Sequence, residues 1–226
     1  MTSSELPTAQ LPDPSELTDE VVEPRLVKSE QVYKGMVWDL RKETFSYGDG
    51  EITREFVDHT GAVAILALDD ADRVLLIKQY RHPVRAREWE LPAGLLDISG
   101  EDPVVGAQRE LAEEADIVAS DWNVLADFMT SPGGSNEAIR VYLARGLADA
   151  GEVFERTDEE ADIEKRWVPL DDVVTAVLER RVQNSILALS VLAADAARTR
   201  GWATLGDPRA PWPRHPGSTG GSPAGD

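Results

Sequence analysis

The segment from Gly94 to Ile117 limits the possible folds of this chain more than any other, because it combines a helix signal with charged residues at fixed spacing. Asp102 and Pro103 are typical of an N-cap followed by proline in the first helical position. Apolar residues then recur near helical intervals, at Val104, Ala107, Leu111 and Ala115. The segment therefore predicts an amphipathic helix whose apolar stripe packs on a core.

The same predicted helix carries Glu110, Glu113 and Glu114, and offsets of three and four residues place them on one face. Like charges at this spacing repel one another, and carboxylates near a helix C-terminus also meet the unfavourable end of its dipole. A divalent cation would convert this repulsion into binding, because hard cations such as Mg²⁺ prefer oxygen ligands and substrate phosphates. The spacing suggests a metal-assisted phosphate site, and a solvated acidic face is the alternative that spacing alone leaves open.

Composition excludes several classes of function. The chain of 226 residues has 42 Asp+Glu against 23 Lys+Arg, a net charge of -19, so binding to nucleic acid or to an anionic membrane is not expected. Without cysteine it has no disulfide, thiolate metal site or thiol nucleophile. The N-terminus lacks the basic start and apolar core of a secretory signal, and the longest apolar stretches are too short to span a bilayer. A cytoplasmic protein is expected.

The remaining sequence mixes strand and helix signals and predicts an α+β fold. Two hairpins are expected, one around the turn at residues 47–50 and one joining strands at 62–68 and 74–80. Asp171 or Asp172 and Asn184 are expected to cap two later helices. The other expected strands and helices lie at 34–45, 51–57, 122–129, 138–144, 164–168, 171–180 and 185–198. Residues 1–25 and 201–226 have the composition of disordered tails.

Together with the loop before it, the helix resembles the Nudix box, G-x5-E-x7-R-E-U-x-E-E-x-G-U, where U is a bulky apolar residue. The matching residues are Gly94, Glu101, Arg109, Glu110, Glu113 and Glu114. The chain departs from the box twice, because its first loop is one residue longer and Asp116 replaces the last glycine. That glycine would take a left-handed conformation, which Asp tolerates better than most residues. Neither departure removes a metal ligand.

Three further motifs resemble the ADP-ribose pyrophosphatase branch of the Nudix hydrolases, namely Gln79-Tyr80-Arg81, the run from Trp89 to Gly94, and Ser131-Pro132-Gly133. Pro132 lies sixteen residues beyond Asp116, the spacing of a proline in that branch. The resemblance implies an α/β/α sandwich around a mixed sheet at 59–200. It also implies an N-terminal antiparallel β-subdomain at 26–58, exchanged between the subunits of a homodimer.

The resemblance implies that the protein hydrolyses ADP-ribose to AMP and ribose 5-phosphate. Two alternatives stay open: hydrolysis of other nucleoside diphosphate derivatives, such as sugar nucleotides or dinucleotides, and a module that binds ADP-ribose without cutting it. Intact Glu110, Glu113 and Glu114 argue against the second alternative, because a pure binding module has no need of a full metal cluster.

The resemblance also implies roles for single residues. Glu110, Glu114 and the backbone carbonyl of Ala93 would hold Mg²⁺, or Mn²⁺ as an alternative, and Glu113 would support the ion as a second or bridging ligand. Arg109 is expected to orient a box glutamate such as Glu113 or Glu101.

The resemblance also implies a general base from an acidic loop well after the box. Glu160 is the expected residue, its neighbours Glu159 and Asp162 stay open as alternatives, and Glu137 is the runner-up. Trp38 is a candidate to stack on adenine, although core or dimer-interface packing is the more frequent role of such a tryptophan. His59 and His82 are expected to be structural. The full set of expected substrate contacts is Arg54, Glu55, Arg81, Trp38 and Pro132.

Overall fold

The N-terminal part of the chain forms a separate three-stranded antiparallel sheet. A computed structural model describes residues 13, 16–151 and 163–215. In it β1 (Leu26–Lys34), β2 (Asp39–Tyr47) and β3 (Gly50–Asp58) pair in that order. The predicted turn at 47–50 joins β2 to β3, and Gly48 supplies the positive φ of 57° there. The strand expected at 34–45 is confirmed from Asp39 onward as β2, but its predicted start is wrong, because Lys34 ends β1 and a turn follows in which the Gly35 amide donates to Asp39.

The remaining described elements form two sheets and three helices. The mixed sheet has the order β7-β4-β9-β8, with β4 and β9 parallel, and the antiparallel sheet has the order β10-β5-β6. The elements are β4 (Ala62–Ala67), β5 (Arg73–Arg81), β6 (Ala86–Glu90), β7 (Ala93–Leu95), α1 (Pro103–Ala115), β8 (Ile117–Met129), β9 (Ala138–Asp149), β10 (Glu164–Pro169), α2 (Leu170–Leu178) and α3 (Ser185–Thr199).

Strand β4 is buried along its whole length because helices cover both of its faces. Ile65 packs in a cluster with Leu111 of α1, whereas Leu66 packs in a second cluster with Leu187 of α3. Successive side chains of a strand point to opposite faces, so α1 lies on one side of the sheets and α2 and α3 lie on the other. The predicted α/β/α sandwich is therefore confirmed.

Helix capping follows the sequence in two of the three helices. Asp102 accepts from the Val104 amide at the start of α1, and Asn184 accepts from the Leu187 amide at the start of α3, as predicted. The predicted cap of α2 is wrong, because Pro169 occupies its N-cap and both aspartates lie within the first turn. In the described part of the chain, no helix is both long and apolar enough to cross a membrane.

The second predicted hairpin is also wrong. The turn after β4 brings only Leu68 and Val74 together, in a single isolated bridge. Beyond that bridge, β4 pairs with β7 and β9 while β5 pairs with β6 and β10. Both strands are apolar on both faces, so each can be buried in a sheet without the other as its neighbour.

Residues 201–215 pack against the core, although composition predicted a disordered tail from residue 201. Gly206 forms a bridge with Val124 at the open edge of β8. The Arg140 guanidinium, on a residue only 2% exposed, donates to the carbonyl of Ala210 at 2.7 Å and lies 4.8 Å from the Trp212 ring centroid. These partners are distant in sequence, so local composition did not reveal them.

Candidate active site

The second half of α1 meets β7, and two of its carboxylates converge there on the backbone of Ala93 and Gly94. Glu114 is 5% exposed, and its Oε2 accepts a hydrogen bond from the Ala93 amide at 2.9 Å. Glu110 lies so close that a Cβ added to Gly94 would fall 2.0 Å from its Cδ. The sequence motif thus produces a tight junction between a helix and a short strand.

The backbone at this junction is fixed by the mixed sheet. Ala93 pairs with Ala64 of β4, and the Ile65 amide donates to the carbonyl of Pro92 at 2.8 Å. Since β4 lies in the buried centre of the fold, the peptide groups that face Glu110 and Glu114 have little freedom to move.

Arg109 binds three carboxylates at once. Its Nε and Nη2 donate to the two oxygens of Glu101, each at 3.2 Å, and its Nη1 donates to Glu110 at 2.6 Å and to Glu113 at 3.0 Å. These bonds, above all those to Glu101, raise the pKa of Arg109. Glu101 and Glu113 are the predicted partners of Arg109, and Glu110 is an additional one. A guanidinium held by three carboxylates fixes their relative positions.

The donor set fits a divalent cation that keeps part of its coordination for water and substrate. Among the described residues, no three His, Asp or Glu side chains form a ready-made metal cage. Mg²⁺ usually binds through only one or two carboxylates plus substrate phosphates, so Glu110, Glu114 and the Ala93 carbonyl are a sufficient set.

A second charged network lies just before Ala93 in the chain. Arg81 donates from Nε and Nη2 to the two oxygens of Glu90, at 2.9 and 2.7 Å. Gln79 donates to the same carboxylate at 3.1 Å, and Glu90 is 4% exposed. Arg81 is a predicted substrate contact, whereas its pairing with Glu90 was not predicted from the sequence. The contact between Arg81 and Glu90 depends on the pairing of β5 with β6, which the sequence alone does not show.

The predicted substrate residues of the N-terminal sheet make local contacts. Arg54 donates to the carbonyl of Thr53, and Glu55 forms an exposed ion pair with Lys42 at 3.3 Å. Trp38 is 48% exposed and stacks on His59, with ring centroids 5.8 Å apart. None of these contacts reaches the cluster on α1.

The two candidate bases differ in what the structure shows. Glu137 accepts from Thr130 Oγ1 at 2.5 Å and lies 3.4 Å from Nε2 of His59, in the loop whose exposed turn contains Pro132. Burial lowers the pKa of His59, and the charges of Glu137 and Asp58 oppose that shift. Glu160 lies outside the described residues.

A cavity of about 760 Å³ lies beside the loop before α1 and has Glu101 and Arg140 in its wall. Residues of the C-terminal segment, including Trp212, complete this wall. Glu110, Glu113 and Glu114 do not line the cavity, so it does not mark the carboxylate cluster.

Comparison with known proteins adds independent information. Residues 58–189 match the NUDIX domain family. A Mycobacterium tuberculosis protein named ADP-ribose pyrophosphatase is 45% identical over 76% of this chain and 84% of its own length. A Bacillus subtilis protein of the same name is 36% identical, and a methanol dehydrogenase activator from Bacillus methanolicus is 34% identical, each over 75% of this chain and 91% of the relative. The crystal structure of an ADP compounds hydrolase aligns with a TM-score of 0.66 over 81% of this chain and 99% of that one, and at 18% identity it supports the fold alone.

Proposed function

This chain belongs to the NUDIX family, and we propose that it is a divalent-metal-dependent hydrolase that cleaves ADP-ribose to AMP and ribose 5-phosphate. The observation that carries the proposal is the convergence of Glu110 and Glu114 on the backbone of Ala93 and Gly94. The names of two relatives, at 45% and 36% identity, support ADP-ribose as the substrate.

In this proposal Glu110, Glu114 and the Ala93 carbonyl hold Mg²⁺, or Mn²⁺ in its place, and Glu113 supports them. When bound, the ion neutralises charge on the pyrophosphate oxygens. The chain's own residues keep the ligands in place, because Arg109 binds Glu110 and Glu113 while the Ala93 amide binds Glu114. Removing a residue that holds a metal ligand in place typically lowers metal affinity or activity by about 10–100-fold.

The reaction needs a base that removes a proton from the water attacking one phosphorus while the bond from phosphorus to the bridging oxygen breaks. We propose Glu160 for this role. Glu137 is already engaged by Thr130 and His59, which suits a carboxylate that holds its loop. We expect Glu160→Gln to lower kcat strongly with a modest effect on KM. If Glu137→Gln lowers kcat more than Glu160→Gln does, Glu137 is the base instead.

Substrate binding and assembly involve the N-terminal sheet in our proposal. Trp38, Arg54 and Glu55 would contact adenosine. Arg81 would contact a phosphate or the terminal ribose, and Pro132 would contact the substrate from the loop after β8. Apolar side chains of this subdomain, at Val32, Tyr33, Met36 and Val37, are more than half exposed in the single chain. We propose that a second copy covers them in a homodimer, which light scattering would detect as twice the chain mass. We place this enzyme of nucleotide metabolism in the cytoplasm.

The decisive experiment is product analysis with ADP-ribose, sugar nucleotides and dinucleotides, with Mg²⁺ and with a chelator. AMP and ribose 5-phosphate formed fastest from ADP-ribose, and only with metal, would support the proposal. Faster cleavage of another compound would favour the broader hydrolase, and binding without cleavage would favour a binding module.

A matched variant tests the metal ligands in the same assay. Glu114→Gln preserves volume and an acceptor for the Ala93 amide, and we expect it to lower turnover by about a hundredfold or more. Glu88→Gln, on the neighbouring strand β6, is the control with unchanged turnover. Near-normal activity of Glu114→Gln would contradict the metal assignment.

A further inference from the structure

Helix α1 ends where this chain departs from the Nudix box. Asp116 follows the helix with φ 61° and ψ 33°, the left-handed conformation that glycine adopts at least cost. Its amide donates to the Ala112 carbonyl at 3.0 Å, and its carbonyl accepts from the Ala150 amide at 3.0 Å. The backbone is therefore held from both sides, while the side chain adds a carboxylate at the end of the helix whose last turn carries Glu113 and Glu114.

A lysine on β10 compensates that added charge. Lys165 Nζ donates to Asp116 Oδ2 at 2.5 Å and to the carbonyl of Ala115 at 3.2 Å. The two side chains are 35% and 17% exposed, so solvent screens this pair less than a fully exposed one. A cation at the last carbonyls of a helix also interacts favourably with its dipole.

The pairing of β10 with β5 determines the direction in which the Lys165 side chain points. Lys165 is opposite Ile77 of β5, and it shares a face with Trp167, which packs against the core cluster of α1. Strand β10 also follows Glu160 closely in the chain. The strand after the segment with the proposed base is thus tied to the end of the helix that carries the metal ligands.

We propose that Lys165 is a positioning residue that, together with Asp116, holds the last turn of α1 in the geometry that metal binding needs. Without the ammonium group, the Asp116 carboxylate repels the neighbouring glutamates and helix carbonyls. The last turn then shifts, and Glu114 loses its alignment with the Ala93 amide. The inference rests on the proposed function, because the pair acts through the metal ligands of α1.

The test combines a charge removal with a rescue. Lys165→Met keeps an apolar stem and removes the charge, and we expect Mn²⁺ to bind about tenfold more weakly, at the lower end of losses seen when groups that orient ligands are removed. We expect kcat to fall by a similar factor with KM for ADP-ribose nearly unchanged. Adding Asp116→Gly should restore Mn²⁺ binding, because glycine takes the left-handed conformation and brings no carboxylate.

Binding is measured by titrating Mn²⁺ alone into the folded protein, well below its melting temperature. Arg181→Ala removes an exposed ion pair with Glu179 and is the control with unchanged binding. Unchanged Mn²⁺ affinity in Lys165→Met would overturn the proposal even if the melting temperature fell, since that result marks a purely structural role. A double variant as weak as Lys165→Met would overturn the pairing with Asp116. Inactivity of the wild type toward ADP-ribose would count against the proposed function only, because the titration contains no substrate.

Discussion

At the scale of single residues, Gly94 shows why no side chain fits where the backbone of β7 meets Glu110, the proposed metal ligand. A Cβ at this position would fall 2.0 Å from Cδ of Glu110, and the flexible carboxylate would yield before the sheet does. We expect Gly94→Ala to lower kcat by about a hundredfold, the loss that a 1 Å misplacement can cause, with little change in melting temperature. Gly50→Ala is the control, because its Cβ would meet nothing within 4 Å. Full activity of Gly94→Ala would show that Glu110 is not a ligand.

The box residues could be predicted from sequence because helical periodicity turns spacing directly into geometry. Glu110, Glu113 and Glu114 share a face once the segment is helical, and Arg109 reaches carboxylates one and four residues away. Lys165 could not be identified in the same way. Its contact with Asp116 joins positions far apart in sequence and depends on how β10 and α1 pack.

At the scale of elements, the C-terminal segment 201–215 supplies partners for a buried charge. Arg140 is held by both oxygens of Asp127 at 2.8 Å and by the carbonyls of Ala210 and Pro211. A chain ending at Leu205 removes those carbonyls and Trp212, and we expect its free energy of unfolding to fall by about 2 kcal/mol or more. Urea denaturation measures the change. A chain ending at residue 215 keeps these contacts and is the reference for the comparison, and equal midpoints for the two shortened chains would show that residues 206–215 contribute nothing.

Elements were predictable where local signals define them. Caps and apolar periodicity located α1 and α3, since those signals act within one or two turns. The signals for β4 and β5 showed that two strands meet at a turn but not which neighbours they pair with further along. The C-terminal segment was missed because its composition is that of a solvated tail. Its order depends on partners such as Arg140 and Val124, which are contributed by other strands.

At the scale of the whole molecule, His59 connects the N-terminal sheet, the core and the loop at 130–137. Its ring stacks on Trp38, its Nδ1 accepts from the Gly61 amide at 3.0 Å, and its Nε2 lies 3.4 Å from Glu137. An Nδ1 that accepts a hydrogen bond carries no proton, so the ring is neutral in this arrangement. Burial favours the same form, because it lowers the pKa of His59 below the usual 6.5 despite the nearby carboxylates.

This lowered pKa predicts how stability depends on pH. In the unfolded chain His59 takes up a proton near its usual pKa of 6.5, whereas the folded protein resists protonation to lower pH. Between the two pKa values the unfolded state binds more protons, so the free energy of unfolding falls as pH falls. We expect urea denaturation between about pH 7.5 and about pH 5.5 to show this decline, and His59→Gln to show a shallower one. His82→Gln, at an exposed position, is the control that keeps the wild-type slope. An unchanged slope in His59→Gln would mean that other groups account for the decline and that burial of this ring does not limit stability at low pH.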